Sequence, residues 1–184
     1  TSIGRDSIAI GTDSVAIGLT TNASGTSAIS IGKLAKSSGA SSVALGQEAN
    51  ASDAAAIALG YRTAAGSWAT AVGSNATASG ATSVAMGNNV LASGENATAI
   101  GRDTRATAAH TTAVGRGSVA NATNATTLGS VALAGTDGAL ALGRGATANT
   151  NAGDVAIGDS SVTAATNAIS ALTINGTDIS TNFQ

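Results

Sequence analysis

The sequence contains no cysteine and no proline, and only one residue each of Met, Trp, Tyr, Phe and His among 184. Without cysteine there are no disulfides and no thiolate chemistry, a composition that suits an exported protein. One histidine with no cysteine leaves neither a zinc set nor a Cys–His pair within a chain. Aromatics at 2% rule out an ordinary globular core, which relies on side chains that each bury about 150–250 Å². Charge is scarce as well: charged residues make up 10% and the net charge is −2. Lys and Arg are spread thinly, so there is no basic field for nucleic acid or anionic lipid. No apolar run reaches the roughly 18 residues of a membrane span, and no charged-plus-apolar N-terminal stretch resembles a signal peptide. The chain is also a poor candidate for disorder, being neither highly charged nor depleted in β-branched residues.

What is present is small and repetitive. The stretch 41–60 reads SSVALGQEANASDAAAIALG, one phrase nearly said twice. The pattern small–apolar–Ala–apolar–Gly closes at Gly11, Gly18, Gly32, Gly46, Gly60, Gly73, Gly87, Gly101, Gly115, Gly129, Gly143 and Gly158. After a first step of 7, the spacing is 14 except for one step of 13 and a last one of 15. Fixed self-similarity of this kind marks a solenoid. Helix is a poor reading, because a glycine in every second heptad costs about 1 kcal/mol each time relative to Ala. The apolar residues alternate instead, as in Ile8/Ile10, Val15/Ile17, Val43/Leu45, Ile57/Leu59, Val84/Met86 and Val155/Ile157. Period two with β-branched residues predicts strands, and the following Gly permits a sharp turn.

A weaker half-repeat lies seven residues past the anchor, at Gly25, Gly39, Gly80 and Gly94. One coil is then two short strands and two turns, forming a flattened roll with a sheet on each side. At roughly 4.8 Å between strands, ten or so coils make a rod of about 50 Å. The residue two before each glycine stays small on both strands, which suits the cramped space between touching sheets. The neighbouring parity points outward. On the second strand it is mostly polar (Asn22/Ser24, Lys36/Ser38, Asn50/Ser52, Thr77/Ser79, Arg105/Thr107), and on the main strand it is a Val/Ile/Leu stripe. Monomers rarely expose contiguous apolar patches beyond a few hundred Å², so that stripe calls for self-association in parallel register. The opposite parity, with Val and Ile inside, is the alternative and would give a monomer. Pattern alone does not choose between dimer and trimer.

The units SIAIGTDSVAIG (7–18), SSVALGQEANASD (41–53), TSVAMGNNVLASG (82–94) and NATAIGRDTRATA (96–108) resemble the YadA-like head repeats of trimeric autotransporter adhesins. The resemblance covers about residues 1–160, with 161–184 ending the roll or forming a connector or insert element. It implies an all-β fold: a left-handed parallel β-roll of about 14-residue coils, homotrimeric, with three rolls packed around an axis through their apolar sheets. The trimer interface would then hold Ile17, Ile31, Leu45, Leu59, Val72, Met86, Ile100, Val114, Leu128, Leu142 and Ile157. It also implies a bacterial cell-surface location, with attachment to the outer membrane through regions outside this segment and no direct membrane contact from it. The partners would be other copies of the chain and host extracellular matrix or cell-surface receptors, with autoagglutination as a further activity. The family often has Asn just before its Ser-Val-Ala-Ile-Gly phrase, whereas Asp6, Asp13, Ser27, Ser41, Ala55, Trp68, Thr82, Asn96, His110 and Asn124 stand there in this chain.

Candidate chemistry is sparse, and the sequence points to no catalytic residue, cofactor or metal. His110 reads as a corner residue. Gly143-Arg-Gly-Ala-Thr-Ala148 lacks the strand–helix context of a dinucleotide loop. Lys33, Arg102, Arg116 and Arg144 share the phase just after the anchor Gly, with Tyr61 in the same slot. Stacking places them in one row, which could bind acidic patches on a matrix protein or glycan or simply keep a fibre soluble. Trp68 lies in the 13-residue coil, where it would fill a local irregularity. Two other functions compete with adhesion. An architectural spacer would bind nothing. An ice-binding solenoid would need a regular Thr array, but Thr70, Thr98, Thr112 and Thr126 are interrupted by Val, Ile and Leu.

Overall fold

A computed structural model describes residues 1–164 and the two short strands Thr173–Ile174 and Thr177–Asp178, which pair antiparallel. There is no helix among the described residues. Successive coils alternate a strand of mostly three residues, such as Val15–Ile17 or Val43–Leu45, with one of two residues, such as Asn22–Ala23 or Asn50–Ala51. The longer strands stack into a 12-stranded first sheet and the shorter into an 11-stranded second sheet. Pairing is parallel throughout both, each strand bonded to the strand one coil before and one coil after. Like residues therefore stack on like, as in Val43↔Ile57, Ala44↔Ala58 and Leu45↔Leu59.

The space between the sheets is filled by methyl groups. Ala16, Ala44, Ala58, Ala71, Ala85 and Ala99 from the first sheet and Ala23, Ala51, Ala78, Ala92 and Ala106 from the second are fully buried. The largest fully buried side chain is Val90, at a corner. Small residues inside and branched ones outside is the parity that the alternation indicates, and the packing with Val and Ile enclosed is excluded. Where the interior departs from Ala it does so at a cost. The hydroxyls of Ser30, Ser37 and Thr127 are buried with no hydrogen-bond partner.

Three local readings of the sequence need correction. Gly11 is not a main-strand anchor: it stacks beneath Gly25, and Ile8 and Ala9 belong to the second sheet, in register with Asn22 and Ala23. The first main anchor is Gly4, which closes Ser2–Ile3 and stacks beneath Gly18. The second sheet is less polar than its early coils suggest. The column occupied by Asn22, Lys36 and Asn50 continues through Leu91, Val119 and Leu133.

The turn chemistry also differs from a simple glycine bend. Each full coil rounds two corners, each through a single left-handed residue. The leading corner, which feeds a first-sheet strand, uses Asp13, Ser27, Ser41, Ala55, Trp68, Thr82, Asn96, His110 and Asn124, at φ of 52 to 59°. The trailing corner, which leaves that strand, uses Thr20, Leu34, Glu48, Arg62, Asn75, Asn89, Asp103 and Val131 over the same range. This conformation costs a non-glycine residue roughly 1–2 kcal/mol and is rare for a β-branched one such as Val131. It is offset by hydrogen bonds between coils: Ser41 N–H donates to Thr26 O at 2.8 Å, and Thr20 N–H to Arg5 O at 2.9 Å. The position where Asn is common in the resembling repeats is therefore the left-handed one, and Asn and Asp tolerate it best.

The anchor glycines answer a different need. At Gly101 (φ 141°) an added Cβ would lie 2.6 Å from Gly115 O in the next coil and 2.6 Å from the Thr104 hydroxyl. That hydroxyl itself donates to Gly115 O at 2.6 Å. Both the dihedral and the approach of the next coil exclude a side chain.

The two coils of irregular length adjust at the leading corner. In the 13-residue coil, Gly66–Ser67–Trp68 omits one residue, and Ala69 N–H still closes the turn on Gly66 O at 3.1 Å. In the 15-residue coil, the added residue is held by Asp154, which accepts from Thr150 N–H at 2.9 Å and Asn151 N–H at 2.8 Å. The Asn151 amide, then the Thr163 hydroxyl, hold its carboxyl below the ordinary value.

These features give three expected outcomes. Gly101→Ala should lower the unfolding midpoint sharply, by several kcal/mol of combined strain and overlap, in calorimetry. Ser30→Ala should instead raise stability by about 1 kcal/mol, because it removes a buried hydroxyl that has no partner. Asp154→Ala should destabilise at neutral pH. Because the folded carboxyl titrates below its unfolded value, its contribution is present above the unfolded pKa and lost as pH falls through the folded one. The stability gap between the two proteins should therefore close on acidification.

Candidate functional site

The surface divides into four strips: two sheet faces and two corners. The outward side of the first sheet carries two columns. One runs Val15, Ile29, Val43, Ile57, Thr70, Val84, Thr98, Thr112, Thr126, Leu140, Val155; the other runs Ile3, Ile17, Ile31, Leu45, Leu59, Val72, Met86, Ile100, Val114, Leu128, Leu142, Ile157. None of these residues is buried in the single chain, and Leu45, Met86 and Leu128 are 46%, 41% and 50% exposed. A column of branched side chains this long, flat and uncovered is far beyond the scattered apolar surface normal for soluble proteins. The Thr residues cluster in the first column, with Val84 between Thr70 and Thr98. They do not form the regular array that ice recognition would require.

The opposite face, on the second sheet, carries Ser24, Ser38, Ser52, Ser79, Ser93 and Thr107 beside the mixed column described above. Short bonds run along it: the Ser38 hydroxyl donates to Ser52 O at 3.2 Å, and that of Ser52 to Asp53 Oδ2 at 3.2 Å. The missing residue of the 13-residue coil opens a notch beside this face, lined by Ser52, Asp53, Ala64, Ala65, Gly66, Ala78 and Ser79. At about 180 Å³ it is smaller than the 300–1,000 Å³ typical of sites for drug-sized ligands. Trp68 does not fill this irregularity as expected. It stands at the leading corner, 67% exposed.

The trailing corner holds Lys33, Arg102, Arg116 and Arg144 in the slot after the anchor glycine, with Tyr61 in the same row. Two further cations escaped the sequence reading. Arg5 follows the unrecognised anchor Gly4, and Arg62 sits one residue beyond the slot. Several of these guanidinium groups are neutralised locally. Arg62 Nε lies 2.7 Å from Glu48 Oε2, Arg102 Nε 3.1 Å from Asp103 Oδ2, and Arg144 Nη2 2.8 Å from Asp159 Oδ2. The hydrogen bond from Arg62 is the main cause that holds the Glu48 carboxyl below its ordinary value; the same bond raises Arg62. Arg62 also stacks over the Tyr61 ring at 5.4 Å from its centroid. Lys33 and Arg116 have no carboxylate within 4.0 Å among the described residues.

His110 is a corner residue at φ 57°. Among the described residues no three His, Cys, Asp or Glu side chains are grouped to hold a metal. What the geometry offers is extended contact: one apolar face, one hydroxyl-rich face and two charged edges.

The YadA head domain repeat matches residues 9–35, 37–63, 64–89, 92–118 and 106–133. No curated protein matches the chain. Each match spans two coils of the parallel stack, and together they cover most of the described roll. The chain belongs to the YadA head domain family, an adhesin-type structural fold.

Proposed function

We propose that this segment is the head of a trimeric bacterial surface adhesin, which attaches to host extracellular matrix or host cells and to other copies of itself. The observation that carries the reading is the uncovered apolar side of the first sheet. Fully burying a Val, Leu or Ile side chain stabilises by about 1.5–3 kcal/mol. Columns of such residues, in register along a rod, are best covered by identical columns about a common axis. Three left-handed rolls would meet through Ile17, Ile31, Leu45, Leu59, Val72, Met86, Ile100, Val114, Leu128, Leu142 and Ile157. The second sheet would then face outward as the contact surface, with residues 161–184 ending the roll or joining it to the rest of the protein. Attachment to the outer membrane would come from regions outside this segment.

On this reading ligand contact is distributed. The serine-rich second sheet offers hydroxyls to peptide or glycan, and Lys33 and Arg116 are the cations left without a local carboxylate. Arg102 and Arg144, already paired with Asp103 and Asp159, are the weaker members of the row.

Light scattering should give a mass three times that of the 17.2 kDa chain, and Leu59→Asp should abolish that assembly while Asn50→Asp on the second sheet leaves it intact. A monomer at micromolar concentration would overturn the trimer. Binding of the trimer to a panel of immobilised matrix proteins and cells tests adhesion. A trimer that binds none of them and does not agglutinate particles would be a spacer.

A further inference from the structure

The two corners that flank the first sheet differ in charge. The trailing corner carries Arg5, Lys33, Arg62, Arg102, Arg116 and Arg144, six of the chain's eight Lys and Arg residues. The leading corner carries Asp13, Asp53, Glu95, Asp137 and Asp154, with no Lys or Arg at all. The carboxylates that accompany the trailing-corner cations, Asp6, Glu48, Asp103 and Asp159, all lie on that same corner. One long edge of the first sheet is thus purely acidic and the other rich in guanidinium groups.

At three levels the two corners carry opposite charges. The strand Ile57–Leu59 is preceded by Asp53 and followed by Arg62. Thr98–Arg102 is preceded by Glu95 and ends on Arg102; Leu140–Leu142 is preceded by Asp137 and followed by Arg144. The only Trp and the only Tyr of the chain stand at opposite corners of successive rungs: Tyr61 follows Ile57–Leu59 on the trailing side, and Trp68 precedes Thr70–Val72 on the leading side. Both are exposed, at 42% and 67%.

Within one chain these partners are held apart by the width of the sheet. Rotation about an axis parallel to the rod, with the first sheets facing inward, preserves height and brings the trailing edge of each copy against the leading edge of the next. Such a contact is heterologous and closes into a ring. An antiparallel pair about a twofold along the strands would instead set like edges, and like charges, against each other. A guanidinium has five N–H donors, so Arg62, Arg102 and Arg144 can keep their own carboxylates and accept a second one.

We propose that the partner of each edge is the opposite edge of a second copy of this chain. In this seam Asp53, Glu95 and Asp137 of one protomer meet Arg62, Arg102 and Arg144 of its neighbour. The inference rests on the cyclic trimer proposed above and adds to it the facing of the edges and the axial register. Apolar columns that repeat every coil match nearly as well when slid by one coil. A slide by one coil separates all three of these charge pairs, whereas a slide by three coils, the spacing of their levels, would set Asp53 against Arg102 and Glu95 against Arg144.

The native chain has no cysteine, so a Glu95→Cys/Arg102→Cys chain can be treated with a short homobifunctional maleimide and run on a denaturing gel. Covalent dimers and trimers are expected from the double variant. Neither single variant should yield them, nor should Glu95→Cys/Arg144→Cys, whose sites lie three coils, about 14 Å, apart along the rod. All three substituted positions are at exposed corners, and light scattering on the untreated proteins reports assembly separately. A trimer by scattering that yields only monomer on the gel overturns the seam and leaves the trimer standing; a native monomer overturns the trimer itself. Equal cross-linking by either single variant means that like edges meet, and overturns the seam.

Discussion

The whole molecule depends on how closely its two sheets approach. A gap that admits only methyl groups fixes alanine at the interior position of nearly every strand, and the other consequences follow from that. A side chain of one carbon offers little apolar area, so a coil cannot gain much by enclosing it. The order comes instead from the backbone: each strand and each corner is hydrogen-bonded to the coil before and the coil after. Repetition is the means by which a chain with almost no large side chains in its interior holds a single structure. The larger side chains, excluded from inside, line the outer surface of the first sheet, where they are left for another molecule to cover.

The same close approach explains the two kinds of special backbone position. At the end of every main strand but the last, the next coil's carbonyl occupies the space of a Cβ, so the position is glycine. At the corner the chain reverses through one left-handed residue, yet that residue varies from Asp13 to Ala55 to Trp68. Its side chain points into solvent and its amide bonds to the neighbouring coil, so the only demand on it is conformational. The ladder of inter-coil hydrogen bonds meets that demand. A strict position and a permissive one stand two residues apart on the trailing corner because one is limited by contact and the other only by a dihedral angle.

Much of this could be read directly from the sequence. The fourteen-residue spacing, the alternation in Val15–Ala16–Ile17 and the small residue two before each glycine identify a two-sheet roll with alanine inside. They do so because period and volume are local properties that a stacked fold repeats without distortion. The first coil was misread because Gly4 follows only a three-residue phrase, while Gly11 closes a second-sheet strand that happens to carry Ile8 and Ile10. The polar character of the second sheet was overextended from its early coils, which Leu91, Val119 and Leu133 contradict. Trp68 was assigned to the irregularity of the thirteen-residue coil, but it stands exposed at the corner and the notch stays open. The contrast between the corners was hidden because its members are spread over the whole chain and align only once the coils are stacked. Arg62 and Asp53 say nothing to each other until the strand between them is seen as one rung.

The coils of thirteen and fifteen residues both take up their irregularity at the leading corner, and the strands on either side stay in register. That corner behaves as a slack joint in an otherwise rigid stack. A rung can therefore gain or lose a residue there while its neighbours keep their pairing, and variation in coil length is confined to one edge of the roll.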